Sequence, residues 1–302
     1  MSENKTQGSM KKWHLQIESN IKSASLTAIQ MIKVKERKLL SELKEMSDRH
    51  IGQLKADIKS GEWYRHSGSY RLQQQQCKVL LHQDSQPGHS KLSVGGRPCG
   101  ITRLKHNQVA VTVLDTRQIV TVEVNPDLVL LSTITTSKQY WGITSLTPST
   151  LAASSHSPPC VDILDMSGHV LKSVCPRHRG GDILKYPNFL CTTRTGNILV
   201  SDWGTKCVVC LTPEGDVVFN YRPTGDTALK DPRGITSTST GDILVTDNSQ
   251  HRVTNLAESG QFVRNILTSQ DGVKNPWGLC VGGSGRMYLC TSDVVKVFAC
   301  CK

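Results

Sequence analysis

Two stretches of this sequence, residues 197–219 and 242–264, repeat each other in register at an offset of 45 residues. Apolar residues, acids and turn glycines fall at the same places in both. The paired positions include Ile198 with Ile243, Asp202 with Asp247, Val208 with Val253, Leu211 with Leu256, and Gly215 with Gly260. A unit that recurs at this interval buries its apolar surface against its own copies, which restricts the chain to a repeat architecture.

Fainter copies of the unit lie on both sides of this pair, and each holds three or four short apolar stretches. The apolar residues that open successive copies lie about 45 residues apart. They are Ile101, Ile143, Leu190, Ile235 and Leu279. A period in the forties with several short strands predicts a mainly β fold, a β-propeller with five clear repeats. A sixth, degenerate blade within residues 62–96 stays open as an alternative.

The repeat that begins at Gly234 can be assigned strand by strand. Its inner strand starts at Gly234–Thr236, and the three strands that follow are separated by turns at Thr240–Asp242, Asn248–His251 and Glu258–Gly260. We predict these strands at Ile243–Thr246, Arg252–Leu256 and Phe262–Leu267. The fifth repeat ends after its third strand, so we expect residues 78–82 or 91–94 to supply its outer strand and cover the sheet edge.

The region before the repeats has a different period. Residues 11–60 show helical spacing of apolar residues between charges, which favours a coiled coil that oligomerises through its apolar stripe. The stripe includes Ile32, Leu39, Leu43, Met46 and Leu54. A single helix packed against the downstream domain is the alternative. We assign residues 1–10 to a disordered N-terminus, 61–77 to a linker and 78–302 to the propeller.

Composition and sequence patterns bear on the cellular compartment and on the state of the cysteines. The beginning of the chain lacks the apolar core of a secretory signal, and no apolar run reaches membrane-spanning length, so we expect a cytoplasmic protein without a membrane role. The 11 cysteines are an odd number, which favours reduced thiols. Cys207 and Cys210 have a spacing that metal sites use, but on one strand they point to opposite faces. We therefore expect one packed and one exposed thiol, with no metal and no cofactor.

The stretches Gly-Ile-Thr, Asp-Ile-Leu-Val-Thr-Asp and Asn-Ser-Gln-His-Arg-Val within residues 234–253 resemble an NHL repeat. A coiled coil followed by such repeats resembles the tripartite-motif proteins with an NHL propeller. The resemblance implies a propeller of NHL type that recruits protein substrates or binds RNA, in a family of E3 ubiquitin ligases. Residues 1–76 contain no cysteine, so a RING or B-box zinc module, and with it ligase activity in this chain, is not supported.

One face of the predicted propeller is richer in basic than in acidic residues and carries most of the large aromatic residues. Such a surface can bind phosphates and bases or form a protein hot spot. The candidate binding residues are Lys138, Tyr140, Arg177, His178, Arg179, Trp203, Lys206, Arg233 and Arg252. The Arg177–Arg179 loop is the first candidate. Trp141 and Trp277 could instead only pack between blades, and Asp202 and Asp247 are expected to form a repeated structural hydrogen bond.

These observations favour a non-enzymatic adaptor. The coiled coil would form homo-oligomers, or hetero-oligomers with RING-containing tripartite-motif paralogues, and the propeller would recruit a protein partner in the ubiquitination pathway. The alternative is a post-transcriptional regulator that binds single-stranded RNA through the basic face. The sequence contains none of the His-Glu-x-x-His, phosphate-loop or Gly-x-Ser-x-Gly motifs of common enzyme classes.

Overall fold

A computed structural model describes residues 76–83, 86–105, 107–124, 128–178, 180–282, 285–291 and 294–299. The predicted coiled coil, with Ile32, Leu39, Leu43, Met46 and Leu54, lies outside these residues, as do residues 1–10 and most of the 61–77 linker. Among the described residues, no helix is long and apolar enough to cross a membrane.

The described chain folds as a five-bladed β-propeller of antiparallel sheets. Strands β1 (Gln76–Gln83) and β2 (Gln86–Ser93) form a separate hairpin. Blade 1 contains β3 (Pro98–Lys105), β4 (Gln108–Val113), β5 (Gln118–Glu123) and β6 (Val129–Thr135). Blade 2 contains β7 (Ile143–Thr147), β8 (Thr150–His156), β9 (Pro159–Asp165) and β10 (Val170–Val174). A short hairpin of β11 (Arg177–His178) and β12 (Gly181–Asp182) follows.

Blade 3 contains β13 (Pro187–Thr192), β14 (Ile198–Asp202), β15 (Cys207–Leu211) and β16 (Val217–Tyr221). Blade 4 contains β17 (Pro232–Ser237), β18 (Ile243–Asp247), β19 (Arg252–Leu256) and β20 (Phe262–Leu267). Blade 5 contains β21 (Leu279–Val281), β22 (Arg286–Cys290) and β23 (Val295–Ala299). Two 3₁₀ turns, Gly225–Thr227 and Ser269–Asp271, lie in the connections that leave blades 3 and 4.

The inner strands of neighbouring blades approach each other backbone to backbone. A Cβ atom added to Gly100, Gly142 or Gly234 would lie 2.5 Å from a backbone carbonyl oxygen at or just before the inner strand of the next blade. Hydroxyl side chains on the second strands add hydrogen bonds at the same level. Thr112 donates to the carbonyl of Trp141 over 2.9 Å, and Thr246 donates to the carbonyl of Trp277 over 2.8 Å. Each of these bonds joins one blade to the next, because donor and acceptor belong to successive blades.

The core lies between the blades, so both faces of an inner sheet are buried. Cys207 belongs to an apolar cluster shared by blades 2 and 3, whereas Cys210 belongs to one shared by blades 3 and 4. The expected opposite orientation is confirmed, but the expected exposed thiol is wrong, because both side chains are at most 2% exposed. Burial raises the pKa of both thiols to about 11.

Blade 4 confirms the strand assignment made from sequence: the three later strands agree with the prediction to within one residue. The predicted completion of blade 5 is wrong. Residues 78–82 and 91–94 were expected to add an outer strand, but β1 pairs with β2, and the described sheet of blade 5 has three strands. Within the described sheets, each strand of the N-terminal hairpin pairs only with the other, so the hairpin forms neither the outer strand of blade 5 nor a four-stranded sixth blade.

The contact between inner strands predicts the effect of one added methyl group. Gly234→Ala should lower the free energy of unfolding by about 1–3 kcal/mol, because the new Cβ meets backbone atoms that cannot rotate away. Denaturant unfolding of the full chain measures this change. Ser239→Ala, in an exposed turn of the same blade, is the control and should change stability by less than about 0.5 kcal/mol. Equal stability of the two variants would contradict the close approach.

Candidate binding site at one end of the inner strands

Two regions of a blade, seen together in blades 2 and 3, place side chains at the same end of the propeller. One lies at or just before the start of the inner strand, and the other lies at or just after the end of the second strand. These two strands are antiparallel, so the two positions are neighbours in space. In blade 3 they are occupied by Tyr186 and Trp203, whose rings stack with centroids 4.8 Å apart. In blade 2 they are occupied by Trp141 and His156, whose rings stack at 4.4 Å.

These pairs continue into a larger set, which we call the aromatic arc. Its members come from all five blades and each contacts another member through a ring face or edge. They are Arg97, Trp141, His156, Tyr186, Trp203, Arg233 and Trp277. The arc therefore extends across the inner-strand end of the propeller and joins blades that are distant in sequence.

Two arginines of the arc contact its aromatic rings. The Arg233 guanidinium lies 4.6 Å from the ring centroid of Trp277 and 5.4 Å from that of Trp203. The Arg97 guanidinium lies 5.6 Å from the ring centroid of Trp141. Asp231 pairs with Arg233 over 2.8 Å and fixes its orientation. Cations in these positions are attracted by the negative ring faces.

Carboxylates that recur in the repeat hold the loops carrying the arc. Asp202 accepts hydrogen bonds from the backbone N–H groups of Lys185 and Tyr186, over distances of 2.6 and 3.0 Å. Asp247 accepts equivalent bonds from the N–H groups of Lys230 and Asp231, over 2.9 and 3.0 Å. The expected repeated structural hydrogen bond is confirmed. In blades 3 and 4 it ties the chain before the inner strand to the end of the second strand, and so positions the neighbouring arc residues.

The structure brings together two of the candidate residues, Trp203 and Arg233. Trp203 is 37% exposed, whereas the Arg233 side chain is only 17% exposed. Trp141 and Trp277, for which packing between blades was the alternative, contribute their rings to the arc. Their backbone carbonyls also bond to the preceding blades. These two residues therefore join successive blades through their backbone and contribute their rings to the arc.

Other candidate residues lie in separate places. Tyr140 and Lys138 both bind the buried carboxylate of Asp162, over 2.6 and 2.7 Å, and Tyr140 is only 2% exposed. Arg252 is 8% exposed and donates to the carbonyls of Asp226 and Ala228. These side chains connect elements within the propeller. Little of Tyr140 or Arg252 is available to a partner.

Two further candidates, Lys206 and Arg177, are exposed and take no part in the arc contacts. Lys206 is exposed and has a left-handed backbone, with a φ of 57°. The exposed Arg177 side chain pairs with Asp182 across the β11–β12 hairpin, over 3.1 Å. His178 belongs to β11, and Arg179 lies outside the described residues.

The buried Asp162 carboxylate binds Lys138 and Tyr140 and so keeps both side chains turned into the propeller. Burial would raise the pKa of the Asp162 carboxyl, but hydrogen bonds from Lys138, Ser173 and Tyr140 outweigh burial and lower it. The carboxylate is therefore ionised and fully paired. Cys160 lies beside it, and burial raises the pKa of its thiol to about 12. The described residues include no cluster of three or more His, Cys, Asp or Glu side chains arranged to hold a metal ion.

His156 and Arg97 were missed by the sequence analysis. The strand pairings place Ser155 of blade 2 and Asp202 of blade 3 at equivalent positions, so His156 corresponds to Trp203. That register was available from the repeat. Arg97 precedes its inner strand by one residue, as Tyr186 does, and this correspondence was also visible in sequence.

The comparisons with known proteins agree with this architecture. The family model described as NHL repeat matches residues 229–254, most of which belong to blade 4. A search of curated proteins gave no match. The matched repeat, together with the five blades, supports a propeller built from NHL-type repeats. The resemblance to tripartite-motif ligases stays a prediction.

Solved structures show the same fold at low sequence identity. A catalytically inactive variant of virginiamycin B lyase from Staphylococcus aureus, crystallised with quinupristin, has a TM-score of 0.53 at 12% identity, covering 74% of this chain and 76% of that one. A streptogramin B lyase gives 0.54 at 13% identity, with 70% and 68% covered. A nidogen/laminin complex gives 0.54 at 15% identity, with 70% and 80% covered. At these identities the similarity concerns the propeller fold alone.

The environment of His156 predicts a dependence of stability on pH. Burial lowers the pKa of this imidazole below its ordinary value of 6.5, although a hydrogen bond with Asn188 partly offsets the effect. The unfolded chain therefore binds more protons than the folded chain as pH falls through 6.5, and the contribution of neutral His156 to stability is lost. The wild type should lose more melting temperature than His156→Gln between about pH 7.5 and pH 5.5. Parallel losses in both proteins would contradict this environment.

Proposed function

We propose that this chain is a non-enzymatic binding protein whose propeller recruits a protein partner at the end that carries the aromatic arc. The observation that carries the proposal is the arc itself, a set of Trp, Tyr, His and Arg side chains held in contact across five blades. Tryptophan, tyrosine and arginine dominate the energetics of protein interfaces. Their fixed orientations reduce the entropy that would be lost when a partner binds.

The packing within the arc favours a protein partner over single-stranded RNA. Proteins that bind single strands without sequence preference stack bases on aromatic ring faces. Here the ring faces of Trp141, Tyr186 and Trp203 already contact other rings or cations of the arc. Ring edges and the exposed part of Trp203 suit the side chains of a protein surface better than stacked bases.

The proposal includes no catalytic step. Two of the structural neighbours are lyases by name. Their sequence identities to this chain are 12% and 13%, so the similarity indicates a shared fold and does not indicate a shared activity. The ionisable side chains that approach the arc have structural roles. Asp202 binds backbone N–H groups, and Asp231 pairs with Arg233.

Removal of the most exposed arc residue tests the proposal. Trp203→Ala in the full chain should abolish the capture of specific partner proteins, because the contribution of a tryptophan hot spot is lost. Affinity purification followed by quantitative mass spectrometry measures the partners retained. Leu171→Ala is the control: this leucine is 58% exposed on the outer strand of blade 2, far from the arc in the fold, and its variant should retain the wild-type partners.

Binding of a random single-stranded RNA pool, measured across a series of salt concentrations, decides between a protein partner and an RNA partner. Protein recruitment predicts no binding above background even at low salt. Tight RNA binding with a steep salt slope, lost on Arg177→Glu and Arg179→Glu, would replace the proposal with the RNA-regulator alternative. If Leu171→Ala removes the same protein partners as Trp203→Ala, recruitment does not depend on the arc and this location of the site fails.

The oligomeric and ubiquitin-pathway parts of the proposal rest on the sequence pattern and on the family resemblance. Residues 11–60 would join copies of this chain to each other or to a RING-bearing paralogue, which would supply ligase activity in trans. Leu39→Asp with Leu43→Asp should convert the oligomer to a monomer, since charges disrupt an apolar seam. Light scattering measures the mass. An unchanged mass, or co-purification of a RING protein that survives the double change, would refute this assignment.

A further inference from the structure

The outer strand of blade 3, β16, has cavities on both sides of its outer edge. Within the described sheets, β16 pairs with β15 along one edge and with no strand along the other. A groove of about 410 Å³ lies between β16 and the β19–β20 turn of blade 4. A second cavity, of about 230 Å³, lies between β16 and the β11–β12 hairpin. Asn220 and Arg222 border both of them.

The side chains of this edge alternate between the two cavities. Phe219 and Tyr221 pack toward the apolar cluster shared with blade 4, and with Phe262 they give the first groove an aromatic lining. Asn220 and Arg222 lie at the intervening positions and line the second, more polar cavity. A strand added beside β16 would alternate its own side chains in the same way.

We propose that β16 is a second docking site, which binds an extended peptide segment of a partner protein by strand addition. The peptide would place an apolar or aromatic side chain in the groove beside Phe219 and Tyr221. It would place an acidic side chain at an adjacent position, near Arg222. This site lies on the outer strand of one blade, so it is separate from the aromatic arc and does not depend on the function proposed for it.

The charges around β16 favour a peptide with an acidic residue. Arg222 is exposed, and among the described residues it forms no ion pair, so its guanidinium can bind a carboxylate from a partner. Asp182, the acid that borders the same cavity, pairs with Arg177 over 3.1 Å, which offsets its charge. An acidic peptide therefore meets a net attraction at this edge, whereas a basic peptide would not.

Panning a phage-displayed library of random peptides on the full chain tests the site. Enriched peptides should combine an apolar or aromatic residue with an adjacent acidic residue. For a synthetic copy of the leading peptide, fluorescence polarisation should show that Arg222→Glu weakens binding by about tenfold or more. A peptide with lysine in place of the acid should bind Arg222→Glu more tightly than it binds the wild type.

The neighbouring blade supplies the matched control. Arg264 is an exposed arginine on β20, the outer strand of blade 4, and it lines neither cavity. Arg264→Glu changes the net charge by the same amount and should leave peptide affinity unchanged. Bound peptide should also slow hydrogen exchange of the β16 amides, as expected for an added strand, and Trp203→Ala should bind the peptide as the wild type does.

Several results would overturn the proposal. They are the absence of enriched peptides, equal weakening by Arg222→Glu and Arg264→Glu, and unchanged exchange at residues 217–221. A peptide that is lost on Trp203→Ala but retained on Arg222→Glu would belong to the aromatic arc, and it would refute the β16 site while supporting the arc. Loss of protein capture on Trp203→Ala has no bearing on β16, so the two proposals can fail separately.

Discussion

Neighbouring blades meet backbone to backbone at their inner strands, and this contact sets the geometry of the propeller. Glycine is required at Gly100, Gly142 and Gly234 because no room remains for a side chain between adjacent strands. Hydroxyl groups of Thr112 and Thr246 then bridge to the next inner strand. The backbone groups are thereby satisfied in a buried location where an unpaired group would be costly.

The candidate site is a consequence of this contact. Because the inner strands lie so close together, the residues just before them meet at one end of the propeller. The residues just after the second strands lie at the same end. Tyr186 and Trp203 meet within one blade, and Arg233 connects Trp203 to Trp277 of the last blade. Carboxylates such as Asp202 fix the loops that carry these side chains. The arc side chains are therefore held by contacts within the protein before any partner arrives, which lowers the entropic cost of binding.

The sequence was sufficient for the strands of blade 4, because short apolar runs separated by turn glycines encode them locally. It was not sufficient for tertiary contacts. One of the two thiols, Cys207 or Cys210, was expected at the surface, yet a blade is covered on both faces by its neighbours. Tyr140 was expected to face a partner, yet it binds the buried Asp162, a pairing 22 residues apart that no local pattern reveals. His156 could have been found from the repeat register alone, since it occupies the position of Trp203 in the preceding blade.

The central claim is that a protein partner binds where the aromatic arc lies. Hydrogen exchange of the full chain, measured with and without a captured partner, tests this claim most directly because it maps the contact without altering a residue. Binding at the arc should slow exchange at residues 139–142, 184–187, 202–206 and 231–234, and should leave exchange unchanged at the opposite turns, 212–216 and 257–261. Slower exchange confined to those opposite turns would show that the partner binds elsewhere.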